Sequence, residues 1–466
     1  MKYVKLARKI EIYFIGNIST KLLSAVMIVI YAFYINSESL GKYEYIQTLA
    51  NIIVPIAFLS IWESILKYML STKLDNEKKQ VINTSAIFSL IVTTVILIVG
   101  IIYYNFVKNE QLYIYIVLVY IFYGLSTVWQ YYARCQNKTK IYVKSSVIGA
   151  FINLIAIVIL ICILKMDVKG LFIANIFSNF VILTFLECNL KIIKKINIKQ
   201  FDTKLLKKML VFSFPLVIND ISLWLITGFG KTIIQNSLGA SATGLYSFAS
   251  KFTIVVNFLG IIINKALTEE MLVLEKNEAT LQLEKILQQL IEKALIFLTL
   301  CIPIIMIFYV VIAKTEYYQS KIYVPMLLIY SFIMLISTNL SIVFKIAEKN
   351  KYQFITTLTG AIITIIISFL TIYKIGVTGV ILGQSVGGLV NTILRYKISK
   401  DLINLKINLK KSFKVLIIYF IVSIISLKIS FVQNVLLEIF LFTMILFIYK
   451  KDINKILNVA KNLIIK

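Results

Sequence analysis

The chain has 466 residues, of which 59% are hydrophobic and 15% are charged. A soluble globular protein carries roughly 25% charged residues, and a water-soluble fold cannot bury this much apolar surface. Soluble classes of protein are therefore excluded, and lipid is the expected solvent for most of the chain. The formal net charge is +27, and the absence of histidine removes the commonest general base and a frequent metal ligand.

The chain opens with a short amphipathic lead-in, Tyr3 to Ile12, which runs directly into a long apolar segment. That segment is too long for the core of a signal peptide, and no small-residue cleavage site follows it. We therefore expect a retained first helix. The cysteines form no CxxC pair and are expected to pack in apolar surroundings; they are Cys135, Cys162, Cys188 and Cys301.

A helix needs about 20 mainly apolar residues to cross a bilayer. Segments of this kind follow one another along the whole chain, at 12–35, 43–68, 84–105, 112–133, 145–164, 170–189, 209–230, 244–266, 288–313, 322–344, 353–373, 377–396, 412–428 and 432–449. The loops between them are no longer than about 25 residues, which leaves no room for an extramembrane catalytic domain. The sequence predicts an all-α integral membrane protein with 14 transmembrane helices that is not an enzyme.

The distribution of Lys and Arg predicts the orientation, because cytoplasmic loops carry an excess of both. Most of the 49 such residues lie at the N-terminus, in alternate loops and in the tail, whereas the opposite loops hold only Lys42, Lys108, Lys165, Lys169, Lys231, Lys314, Lys321, Lys374 and Lys428. This predicts a multi-pass protein of the cytoplasmic (inner) membrane with both termini cytoplasmic. The lysine clusters lack the Arg and aromatic interleaving of nucleic-acid surfaces, so no nucleic-acid partner is expected.

The two halves of the chain resemble each other. The Gly-x-Tyr-x-aromatic pattern that begins at Gly41 recurs at Gly244, and the Val-x-Gly pattern that ends at Gly170 recurs at Gly379. The matches keep their order and nearly their offset, although chance similarity between apolar helices is the alternative explanation. They predict two six-helix bundles related by a pseudo-twofold axis along the membrane normal. Parallel repeats of this kind place a substrate cavity at their interface and give alternating access.

The predicted domains follow from the repeat. Residues 1–196 form an N-terminal six-helix bundle with its lead-in, and residues 197–400 form a C-terminal six-helix bundle. Residues 401–466 contain two extra transmembrane helices and a basic cytoplasmic tail.

Two regions carry a family resemblance. The stretch from Lys207 to Leu216 (KKMLVFSFPL), with GLYSFASK from Gly244, resembles the seventh-to-eighth helix signature of polysaccharide flippases. SLGKY from Ser39 and IWESILKY from Ile61 are similar to the first two helices of the same family. This family contains the Wzx-type O-antigen and capsule exporters and belongs to the multidrug/oligosaccharidyl-lipid/polysaccharide exporter superfamily. The resemblance covers about residues 8–400.

The resemblance implies transport of an undecaprenyl-diphosphate-linked oligosaccharide from the inner to the outer leaflet of the bilayer. It also implies a cationic cavity for the diphosphate, a proton or sodium gradient as a candidate energy source, and a polysaccharide polymerase as a candidate partner. A multidrug or small-cation antiporter of the same superfamily is the alternative, and it would need an acidic and aromatic cavity. A membrane polymerase or ligase would need a long outer loop, which the sequence lacks.

Ionisable side chains inside the predicted spans are the candidate site residues, since a charge at membrane depth costs about 2.5–3.5 kcal/mol on insertion scales. We expect Lys21 and Lys251 to bind the anionic substrate, because lysine presents a compact charge that suits phosphate. Snorkelling to the head groups is the alternative for both. Arg134 and Lys231, near helix ends, are further substrate-binding candidates or simply topological charges.

Two acidic residues are candidates for ion coupling. Asp220 is the only aspartate well inside a predicted span, where it serves as a protonation site or as a salt-bridge partner. Glu63 stands four residues before Lys67 on one helix face, which favours an internal ion pair over a gate. No GxxxxGK[ST] phosphate loop is present, so no ATP-driven step and no cofactor is expected.

Overall fold

The computed structural model describes residues 2–72, 74–106, 112–136, 138–271, 276–347, 349, 351–408 and 410–448. These residues are helical almost throughout, and no β-strand occurs among them. The predicted all-α fold is therefore confirmed. The basic tail predicted at the C-terminus falls in residues 449–466 and lies outside the described residues.

The described residues form α-helices whose bounds are α1 Lys2–Tyr34, α2 Ser37–Ala57, α3 Ile61–Ser71, α4 Asp75–Phe106, α5 Tyr113–Cys135, α6 Thr139–Ile157, α7 Asp167–Leu190, α8 Thr203–Thr227, α9 Phe229–Ser250, α10 Ile254–Met271, α11 Lys276–Val311, α12 Val324–Leu340, α13 Ile342–Ile346, α14 Lys351–Ile375, α15 Val377–Ile403, α16 Lys410–Lys428 and α17 Phe431–Ile448. A π-helical turn, Val158–Ile163, extends α6.

Many of these helices are built to cross a membrane. Within the described residues, 10 helical stretches are long and apolar enough to do so, and the bent pair α2–α3 raises the number to 11. Two shorter apolar stretches, Ile18–Tyr34 and Phe431–Phe447, coincide with the first and last predicted segments. Large apolar side chains such as Ile98 and Ile101 are exposed along α4, as expected of a surface that faces lipid. The protein is a multi-pass membrane protein.

Residue contacts divide the chain into two compact units, which are described separately. Unit 1 comprises Met1–Ser247 and Ile365–Val380. In it α6 packs on α1 and α7, and α5 packs on α2, α3 and α7. Unit 2 comprises Phe248–Thr364 and Ile381–Lys466, and in it α11 packs on α12, α16 and α17. The predicted domain boundaries at 196 and 400 stay predictions.

One buried arginine ties three helices of unit 2 together. The Arg395 side chain on α15 is 5% exposed. Its guanidinium donates hydrogen bonds to the Ser337 carbonyl of α12 (2.6 Å) and to the Thr357 hydroxyl of α14 (2.8 Å). Its Nε donates to the Thr356 hydroxyl at 3.2 Å. A buried charge is tolerated when hydrogen bonds satisfy its donors, so this contact fixes α12, α14 and α15 to one another.

In unit 1, α2 and α3 form one broken membrane helix with a bend of 53°. Leu59 and Ser60 at the break have φ values of 49° and 44°, a left-handed conformation that costs L-residues about 1–2 kcal/mol each. Packing stabilises the break, because Gly124 of α5 leaves room for the Phe58 ring where any larger side chain would overlap it. The Ser60 N–H donates to the Pro55 carbonyl at 2.9 Å. The break therefore turns α3 and its first polar residues into the interior of unit 1.

Candidate functional site

A cavity of about 600 Å³ lies in unit 1 beside the break between α2 and α3. Residues of α2, α3, α5, α8 and the start of α9 line it. The charged lining residues are Glu63, Asp220 and Lys231, and the aromatic ones are Trp62, Tyr123, Tyr131 and Trp224. This combination gives the cavity charged groups of both signs, held between aromatic rings within a membrane-spanning unit.

The Glu63 carboxylate is held by a tyrosine. The Tyr131 hydroxyl donates a hydrogen bond to Glu63 Oε1 at 2.6 Å. The Trp62 ring lies 6.4 Å from the Tyr131 ring, centroid to centroid. On the same tyrosine, the Arg134 guanidinium carbon lies 4.5 Å from the ring centroid. Tyr131 thus connects a carboxylate that lines the cavity to a cation at its edge.

The predicted ion pair between Glu63 and Lys67 is not formed, so this prediction is wrong. The Lys67 ammonium instead lies 3.8 Å from the centroid of the Phe212 ring of α8. The ion pairs among the described residues join Lys42 to Glu38, Lys78 to Asp75 and Lys231 to Glu44. Helical spacing made a Glu63–Lys67 pair feasible, but each side chain has a partner on a neighbouring helix that the spacing does not reveal.

Asp220 binds the helix break. The Ser60 hydroxyl donates to Asp220 Oδ2 at 2.9 Å, and Ser60 is fully buried in its left-handed conformation. The strained backbone therefore points a hydroxyl at the carboxylate of α8, and none of the ion pairs in the described part of the chain involves Asp220. Strain of this kind persists where surrounding structure holds it, often at functional sites.

Lys231 forms the best-buried ion pair of the described residues. Its ammonium lies 2.8 Å from Glu44 Oε2, and the two side chains are 15% and 14% exposed. One helical turn further along α2, the Trp224 indole N–H donates to the Thr48 carbonyl at 2.8 Å. These contacts join α2 to α8 and α9 along one edge of the cavity.

The structure brings together some of the predicted site residues but not all of them. Glu63, Asp220 and Lys231 line one cavity, and Arg134 adjoins it through Tyr131. Lys21 is exposed on α1 and does not line this cavity. Lys251 belongs to unit 2, where it begins the short helical turn Lys251–Thr253 after α9. The substrate-binding roles of Lys21 and Lys251 stay predictions.

Sequence reasoning missed the face of α2 that carries the cavity wall. Small and polar residues are spaced along it by four and three residues in alternation, which places them on one face of the helix. This α2 stripe consists of Ser37, Gly41, Glu44, Thr48, Asn51 and Pro55. The signal was present in the sequence as this alternating spacing, which differs from the spacing of the other polar residues of α2.

Solved transporter structures share this fold. The chain matches a structure titled Lipid II flippase MurJ, inward closed conformation, with a TM-score of 0.74 and 16% identity over 95% of this chain and 99% of that one. It matches an inward-facing multidrug resistance MATE family transporter of the MOP superfamily with a TM-score of 0.61 and 15% identity, over 82% and 98% of the two chains. The protein has the fold of the MOP transporter superfamily.

Residues 6–268 match the family described as Polysaccharide biosynthesis protein. The match spans more than half of the chain, so the chain belongs to this family. All residues that line the cavity lie inside the matched segment. The family expected from the sequence is confirmed. No curated protein matches the chain.

Proposed function

We propose that the protein flips an undecaprenyl-diphosphate-linked oligosaccharide, such as an O-antigen or capsule repeat unit, from the inner to the outer leaflet of the cytoplasmic membrane by alternating access. The observation that carries the proposal is the charged cavity of unit 1, which lies wholly within the segment that matches the polysaccharide biosynthesis family. Irregular backbone and ionisable groups at membrane depth are tolerated where they line a polar space, and they mark substrate pathways.

The proposed topology has 14 transmembrane helices, with two six-helix bundles related by a pseudo-twofold axis and two C-terminal helices. The stretch Ile18–Tyr34 together with α16 and α17 would supply the three spans beyond the 11 that are long and apolar enough to cross a membrane. The excess of Lys and Arg in alternate loops supports cytoplasmic termini in the inner membrane.

We assign two roles to the charged residues. Lys231 and Arg134, together with Lys21 and Lys251, attract the diphosphate of the substrate. Asp220 and Glu63 couple transport to a proton or sodium gradient, since a carboxylate beside the Ser60 hydroxyl offers oxygen ligands to a small cation. The flipped product is the substrate of a polysaccharide polymerase, which we propose as a partner.

A multidrug or small-cation antiporter is the second candidate function. Two carboxylates and several aromatic rings line the cavity, and this composition suits an organic cation as well as a sugar. The charge of the transported molecule separates the two functions.

Reconstituted vesicles test the proposal. Purified protein is placed in vesicles that contain an undecaprenyl-diphosphate oligosaccharide with a fluorescent sugar, and a membrane-impermeant quencher reports its arrival in the outer leaflet. We expect protein-dependent flipping that Lys231→Ala slows at least about tenfold, because a charged contact contributes about 1.5–3 kcal/mol. Lys67→Ala, an exposed cation of the same unit, is the matched control. Gradient-driven efflux of ethidium without flipping would establish the antiporter instead.

A cellular experiment tests the substrate class. In a host that lacks its own flippase, the wild-type chain restores surface polysaccharide. We expect Lys21→Ala to reduce the restored amount and Lys21→Asp to abolish it, with accumulation of lipid-linked precursor. Normal export by both variants would remove Lys21 from the proposed site.

A further inference from the structure

Near the start of α2, outside the cavity, the backbones of α2 and α9 pack closely through small residues. A Cβ atom at Gly41 would overlap the Ala240 carbonyl, and a Cβ atom at Gly244 would overlap the Ser37 carbonyl. The hydroxyls of Ser37 and Ser241 lie 2.7 Å apart. The two helix backbones therefore touch through their glycines, and no large side chains interlock across this part of the contact.

The next turn of the α2 stripe carries the Glu44–Lys231 ion pair. Along α2 the pair lies one turn from the glycine contact and one turn from Thr48, which lines the cavity. Lys231 also lines the cavity, so one residue both pairs with Glu44 and lines the space proposed for substrate. Removing one partner of a mostly buried pair leaves a charge that is poorly solvated, so the pair is expected to persist until another charge replaces one member.

We propose that the Glu44–Lys231 pair is a latch opened by an anion. A phosphate group of the substrate takes the place of Glu44 at the Lys231 ammonium, and α2 is then released from α9 at the glycine contact. An ammonium has three donors and suits a phosphate as a compact charge, so the exchange conserves the ion pairing of Lys231. The inference rests on the proposed function, and it identifies the diphosphate, not the sugar, as the part of the substrate that opens the contact.

A single cysteine reports the state of the latch. Ser37 is 4% exposed, because α9 covers it. In a chain whose four native cysteines are serine, Ser37→Cys in nanodiscs is labelled with an impermeant maleimide. Undecaprenyl diphosphate is the probe, and undecaprenol is the uncharged control. We expect the diphosphate to speed labelling at least about fivefold, the lower end of usual coupling between sites, while undecaprenol leaves the rate unchanged.

Variants of the pair separate the latch from simple stabilisation. Glu44→Gln should speed labelling without any probe and remove the response to the diphosphate. The exchanged pair Glu44→Lys with Lys231→Glu should restore slow labelling, yet remain insensitive to the diphosphate, because the residue on α9 is now acidic. The matched control is the exposed Glu38–Lys42 pair on α2, whose exchange should leave both the rate and the response unchanged. If the exchanged pair does not fold, the labelling rate of Glu44→Gln and its response to the diphosphate decide whether the latch exists.

Binding of the probe, measured as a shift of the melting temperature, distinguishes two failures. A diphosphate that stabilises the protein but leaves the labelling rate of Ser37→Cys unchanged would overturn the latch and leave the proposed function standing. A protein stabilised by ethidium and not by the diphosphate would overturn the proposed function and the latch with it. The latch is supported if the diphosphate stabilises the protein and speeds labelling of Ser37→Cys, and if Glu44→Gln, which labels fast without a probe, shows no further response to the diphosphate.

Discussion

Tyr123 and Tyr131 on α5 both line the cavity, but their hydroxyls have different partners. The Tyr131 hydroxyl lies 2.6 Å from a Glu63 carboxylate oxygen, whereas the Tyr123 hydroxyl lies 3.4 Å from Asn51 Oδ1. A short hydrogen bond to a carboxylate is worth more than a long one to an amide, because the charge strengthens it.

We therefore expect Tyr131→Phe to lower the free energy of unfolding by about 1.5–3 kcal/mol, since it leaves the Glu63 carboxylate without this donor. Tyr123→Phe, which removes a hydroxyl from the same helix face, should cost less than about 1 kcal/mol. Denaturant titration of the purified proteins in detergent measures both. Equal losses in the two variants would show that the Glu63 contact contributes nothing specific.

At the scale of single residues, the sequence located the charges but not their partners. Asp220 and Glu63 stood out because carboxylates are rare in apolar spans, and both line the cavity. The sequence could not reveal that Glu63 is held by Tyr131, because that contact joins α3 to α5. Glu44 was overlooked because it lies at the start of predicted segment 43–68, and the sequence does not show that Lys231 lies beside it.

At the scale of helices, the break between α2 and α3 depends on a glycine in α5 that leaves space for Phe58. Gly124 has no side chain where the Phe58 ring lies, and an added Cβ would overlap that ring. We expect Gly124→Ala to destabilise the protein by about 1–3 kcal/mol, because overpacking pushes Phe58 away from its place. Movement of Phe58 should also separate Ser60 from Asp220, so flipping activity falls with stability.

Gly260 of α10 provides the control for this substitution. An added Cβ there would meet Leu335 at 3.5 Å, which is ordinary contact. Gly260→Ala should therefore be neutral or stabilise the helix by roughly 0.5–1 kcal/mol, the usual gain over glycine inside a helix. Thermal unfolding in detergent compares the two variants. A similar loss in both would argue against the role of Gly124 at the break.

Arg395 fixes three helices of unit 2, and its planar donor set makes the contact specific. Lysine would keep the charge but could not reach the Ser337 carbonyl and both threonine hydroxyls together. Arg395→Lys should therefore lower stability by about 2–4 kcal/mol, in the range of other broken buried networks. The exposed Lys397 on the same helix is the control, and Lys397→Ala should change the free energy of unfolding by less than about 0.5 kcal/mol. An Arg395→Lys protein as stable as the control would contradict this role.

The length and apolarity of the segments predicted most helices but not their breaks. Segment 43–68 was expected as one span, yet it is divided at Leu59 and Ser60, whose left-handed conformations depend on tertiary packing and have no local sequence signature. The region between 230 and 244 was expected as a loop. It is helical in α9, apart from Gly239, where φ is 85° and a glycine is required.

At the scale of the whole molecule, the distribution of charge makes a prediction about topology that is independent of the cavity. One added or missing span would exchange the inner and outer sides of every later loop. Lysine-rich and lysine-poor loops alternate along the whole chain, which predicts an even number of spans. The outer loops should include Lys165, and the inner ones Lys140.

Single cysteines at these positions, in a chain whose native cysteines are serine, test the prediction in intact cells. We expect an impermeant maleimide to label Lys165→Cys and to leave Lys140→Cys unlabelled until the membrane is permeabilised, because both side chains are exposed on the protein and only the bilayer separates them. A fluorescent protein fused to the C-terminus should fold in the cytoplasm, and alkaline phosphatase fused there should be inactive. Active phosphatase would place the C-terminus outside and require an odd number of spans. That result would contradict the topology predicted from the lysines.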